Sequence, residues 1–177
     1  MATSLQFLSK CLDRHSMKYS VDKHNFIISV HLPIASLKEH GVLIRLAEDG
    51  ELIQFIAPRL FFVKDSLHKG LFFQTALYIS YTCKVLRFEY DPDDGEVPTS
   101  MEIFLENADF TVQQFDRYFF DLLMFLDNAV PRLQSVLATG VDRGDSTFEQ
   151  LIQGLVNELP SECIDLLNDA IDRHRQK

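Results

Sequence analysis

Tryptophan is absent from this 177-residue chain, and cysteine occurs only at Cys11, Cys83 and Cys163. An odd number of scattered thiols, none in a C-x-x-C pair, supports neither a disulfide framework nor a zinc site and fits a reducing cytoplasm. Glycine is scarce too. The seven present form neither G-x-G-x-x-G nor a Walker A sequence, which disfavours dinucleotides and ATP. Basic residues are outnumbered, 17 Lys and Arg against 26 Asp and Glu, and the resulting net charge of -9 repels a phosphate backbone. The densest basic stretch, Arg173, Arg175 and Lys177, reads as cations complementing the dipole of a last helix. Long apolar runs are also missing. The longest stretches without a formal charge, 24–37 and 70–83, fall short of the roughly 20 residues that span a bilayer. The first residues lack the basic-then-apolar order of a secretory leader.

What is present is ordinary for a globular protein: 46% hydrophobic and 24% charged residues, with fifteen Phe to fill a core. One domain is expected, and a chain of this length buries enough surface to need no metal or disulfide.

Thr3 and Gln6 make a capping-box pattern, and Leu5, Leu8, Leu12 and His15 recur at helical spacing, which predicts a helix over 4–16. From His24 the period becomes two, with Phe26, Ile28, Val30 and Leu32 on one face of a strand ending at Pro33. Two apolar runs, 42–47 and 51–57, are joined by Glu48-Asp49-Gly50, whose Asp-Gly pair suits a tight hairpin, and Pro58 is expected to end or bend the pairing. Ser66 is placed to cap a helix over 70–83 whose Leu71, Phe72, Phe73, Leu77, Tyr78, Ile79 and Tyr81 surround most of its circumference. Such a helix is expected to be buried or covered.

A second hairpin alternates Leu86, Phe88 and Tyr90 with polar residues, turns at 91–95, and alternates again through Val97, Met101, Ile103 and Leu105. Thr111 and Gln114 then open a long helix with core stripe Phe115, Phe119, Leu122, Leu126, Leu133 and Leu137, kinked at Pro131 and closed at Gly140. Two shorter helices are expected from Ser146 and from about Pro160. The order predicts an α+β fold: an antiparallel five-stranded sheet packed by helices, α-β-β-β-α-β-β-α, over 1–140, with a two-helix extension over 141–177 packed on or next to it.

No catalytic signature passes its context test. Ser66-Leu67-His68-Lys69 matches S-x-x-K, but the pattern recurs at Ser20–Lys23 without the companion motifs, so a helix cap is the simpler reading. Asp91, Asp93 and Glu102 match positions 1, 3 and 12 of a calcium loop, yet Gly95 and Glu96 stand where an oxygen ligand and a glycine belong. His24, His31 and His40 have no metal-binding spacing. No enzyme, cofactor or metal is therefore expected. What remains is apolar surface: Phe120 and Met124 lie opposite the core stripe of the long helix, to be covered by the C-terminal helices, a second copy of the chain or another partner.

The first helix, Val30-His31-Leu32-Pro33, the Asp49-Gly50-Glu51 turn, the uncharged helix, the second hairpin and the long helix after Asn107-Ala-Asp-Phe-Thr111 together resemble the YbjN family of bacterial proteins, candidate sensory transduction regulators with a domain similar to type III secretion chaperones. The resemblance covers 1–140. It implies a small α+β fold with a curved antiparallel sheet, commonly dimeric, without catalytic residues or cofactor, that holds client segments on apolar surface. The leading expectation is a cytoplasmic adaptor or chaperone-like module binding a protein partner, or itself, through Phe120 and Met124, with Phe72 and Phe73 as further candidates. The alternative is a sensory domain with a small apolar ligand held between sheet and helices.

Overall fold

In the computed structural model, residues 3–32, 41–83, 85–144 and Pro160 are described. Residues 1–142 form one compact unit and 143–177 another. The helices expected from Ser146 and from about Pro160 lie, Pro160 apart, outside the described residues, as does His40.

The first unit runs α1 (Leu5–Arg14), β1 (Lys18–Asp22), β2 (Ile27–His31), β3 (Val42–Ala47), β4 (Leu52–Phe62), α2 (Lys69–Thr82), β5 (Arg87–Phe88), β6 (Glu96–Phe104) and α3 (Val112–Thr139). Its α+β architecture is the one expected, but the antiparallel sheet has six strands, ordered β1-β2-β3-β4-β6-β5, rather than five. The additional strand is β1. Four of its five residues are exposed, so it lacks the apolar alternation that betrays a half-buried strand. It is recruited by hydrogen bonding to β2, Val21 opposite Ile28 and Tyr19 opposite Val30.

Register explains the two faces of the sheet. Ile28, Ile44, Phe55 and Met101 align across four strands, as do Leu46, Ile53 and Ile103 across three, and all are buried. One residue out of phase, Ile27, Arg45, Gln54 and Glu102 line up on the opposite face. There Glu102 accepts from the Gln54 amide at 2.7 Å and pairs with Arg87 at 2.9 Å. The Arg87 and Gln54 hydrogen bonds hold its carboxyl below the usual carboxylate range. This pairing places Glu102 in a strand, and the Asp91 carboxylate accepts the Asp93 N–H within the turn; the three acids of the calcium-like pattern belong to a hairpin.

Pro58 bends the ladder without ending it. The β4–β6 register shifts between Ala57 and Phe61, and β4 continues to Phe62. Arg59, at a φ of 55°, sits in this bulge with its N–H donated to the Glu96 carboxylate at 2.7 Å.

On the apolar face, Phe55 meets Phe115 and Phe119 at ring separations of 5.9 and 6.5 Å, and those two stack at 5.4 Å. Each such buried ring contributes about 1.5–3 kcal/mol of hydrophobic stabilisation before entropy is subtracted. α3 begins with the expected capping box, the Thr111 hydroxyl accepting from Gln114 N–H while the Gln114 side chain accepts from Thr111 N–H. It runs through Pro131 and closes at left-handed Gly140. α1 is capped one residue later than expected, by Ser4, whose side chain accepts from Phe7 N–H.

Candidate functional site

α2 carries no acidic residue and only Lys69 as a cation, so its sequence offers little polarity by which to orient it. Packing does so. Phe72, Thr75, Ala76 and Ile79 face inward, and Phe61 meets Phe72 edge-on at 5.1 Å. The opposite face is not covered by any described residue: Leu77 is 71% exposed, Tyr81 88%, and Tyr78 is exposed between them. Burial is therefore seen on one face of α2 only. His68, not Ser66, occupies the N-cap position and makes no side-chain cap; the Ser66 hydroxyl instead accepts the His68 N–H at 3.2 Å.

The partner-facing roles expected of Phe72 and Phe73 change accordingly. Phe72 is wholly buried and offers no surface. Phe73 is half-buried, its ring edge-on to Phe72 at 5.8 Å and to Tyr90 at 5.0 Å, while Lys69 donates to the Tyr90 hydroxyl at 2.6 Å. Both rings help to hold α2 in place, which leaves its outward face to Leu77, Tyr78 and Tyr81.

The exit of the chain from α3 braces this face from behind. Arg132 forks onto Asp142 through Nε and Nη2, each at 2.8 Å, and the Thr75 hydroxyl donates to the same carboxylate at 3.0 Å. The Arg132 guanidinium also lies 5.4 Å from the centre of the Tyr78 ring. α2 is thereby fixed to the end of α3 by a hydrogen bond from Thr75 to the ion-paired Asp142 in addition to apolar packing, and Tyr78 is held by its flat face.

A second apolar site lies on α3. Phe120 is 41% exposed and Met124, one turn on, 62%. Phe120 is oriented from below: its ring is edge-on to His15, the C-cap of α1, at 4.8 Å and to Phe119 at 5.7 Å. His15 Nε2 in turn lies 2.7 Å from the Asp116 carboxylate, a contact that ties α1 to α3. Cys11, one turn before His15, is buried, and burial followed by the nearby Asp116 charge pushes its thiol up to about 11. A cysteine in that state is a small core side chain and a poor nucleophile.

No protein-family model matches this sequence, and no curated protein matches it. Solved structures do. E. coli YbjN, a candidate transcription regulator, aligns over 76% of this chain and 93% of its own at 14% identity, with a TM-score of 0.51. A chain of the ExsC–ExsE complex aligns over 72% and 95% at 19% identity, TM-score 0.51. A chain of the HopA1–SchA chaperone–effector complex aligns over 68% and 88% at 16% identity, TM-score 0.50. The fold is YbjN-like and chaperone-like. At these identities the likeness concerns the path of the backbone, and side-chain roles do not transfer with it.

Within this YbjN-like fold the fifteen Phe do not all serve one purpose. Phe55, Phe72, Phe115 and Phe119 fill the interior against one another, where the sensory alternative wanted a ligand. A cleft of about 630 Å³ lies elsewhere, at the N-terminus of α1, with Leu5, Phe26 and Leu46 among its walls and Lys23, Glu48 and Asp49 at its polar edge. Among the described residues no group of three or more His, Cys, Asp or Glu could hold a metal ion, and no helix is long and apolar enough to cross a membrane.

Proposed function

We propose that this chain is a non-catalytic interaction module, an adaptor or chaperone-like protein that binds a protein partner through the exposed apolar side chains of α2 and α3. The observation that carries this reading is the pairing of exposure with rigidity. Leu77, Tyr78, Tyr81, Phe120 and Met124 stand open on two helices whose buried faces are locked by core packing, the Arg132–Asp142–Thr75 contact and the His15–Asp116 contact. Tyr78 and Phe120, oriented by Arg132 and His15, lose little conformational entropy on association, and aromatic side chains and Met are the types enriched at interface cores. The presence of a fold neighbour in a chaperone–effector complex is consistent with the reading.

The test is association in the native host. Tagged wild-type protein is expected to retain a partner at near-equal stoichiometry, and the double variant Phe120→Asp/Met124→Asp is expected to lose it while melting at the wild-type temperature. A partner retained equally by both proteins removes Phe120 and Met124 from the proposed surface. A parallel triple variant, Leu77→Ser/Tyr78→Ser/Tyr81→Ser, asks the same of α2.

A further inference from the structure

We draw no further inference here: the strongest candidate, the cleft at the N-terminus of α1 walled by Leu5, Phe26 and Leu46, carries nothing because its polar lining is only that helix end, Lys23 and the acidic Glu48–Asp49 turn, with no buried polar side chain among the described residues to show what it would hold.

Discussion

Replacing Gly140 by Ala tests the packing where the chain leaves α3. Gly140 has a φ of 67°, and a Cβ built there would lie 2.5 Å from Cε1 and 2.6 Å from Nδ1 of His68, which holds the N-cap position of α2. Two costs combine. A left-handed backbone penalises Ala by about 1–2 kcal/mol relative to Gly. Pushing the imidazole off its preferred rotamer adds about 0.5–1.5 kcal/mol. Gly140→Ala is therefore expected to destabilise by about 2–3 kcal/mol in urea denaturation, and to lower the melting temperature by about 5–10 °C for a protein of this size. His68→Ala removes the ring that the methyl group meets. In that background Gly140→Ala should cost only the backbone term, which leaves a coupling energy of about 1 kcal/mol in the double-mutant cycle. Equal costs in the two backgrounds would refute the contact between His68 and Gly140. A cost below about 0.5 kcal/mol in the wild-type background would refute the left-handed closure of α3 as well.

Two further predictions address ionisable groups. Cys11 is expected to resist iodoacetamide at pH 8 in the native protein and to react once urea unfolds the chain, as peptide mass spectrometry would record. Its thiol is raised by burial, so the stability it contributes is present below the unfolded thiol's ordinary pKa and lost as pH climbs toward about 11. Native labelling as rapid as that of a free thiol would contradict its burial. Glu102 is lowered by its Arg87 and Gln54 hydrogen bonds, so its contribution is present above the ordinary glutamate pKa and lost as pH falls through the depressed value. Because Arg87 is half exposed, Glu102→Gln is expected to cost less than about 1 kcal/mol at pH 7, and the gap to wild type should close on acidification; a gap that widens toward acid reverses the assignment.

Much of this architecture is already written in local sequence. The Thr111–Gln114 box and Gly140 bracket α3 at the observed ends, and the alternation of Ile28 with Val30 and of Met101 with Ile103 picks out the inward face of the sheet. These signals are local because capping, positive φ and strand alternation are settled within a few residues. The exposure of Phe120 and Met124 was legible for the same reason, since the opposite stripe of α3 is so strongly apolar. Elsewhere the local signal was silent. β1 is exposed along most of its length and exists as a strand only through its pairing with β2. α2 is apolar all round, so its rotation was undetermined until Phe61 and the Arg132–Asp142–Thr75 contact drew Phe72 and Thr75 inward and left Leu77, Tyr78 and Tyr81 outside. His15 and Asp116 meet across 101 positions of chain. The sequence by itself determined which segments are helix and strand wherever neighbours suffice to satisfy the backbone. Only the tertiary structure decided which apolar side chains stay exposed, because burial depends on groups far away in sequence that come to cover them.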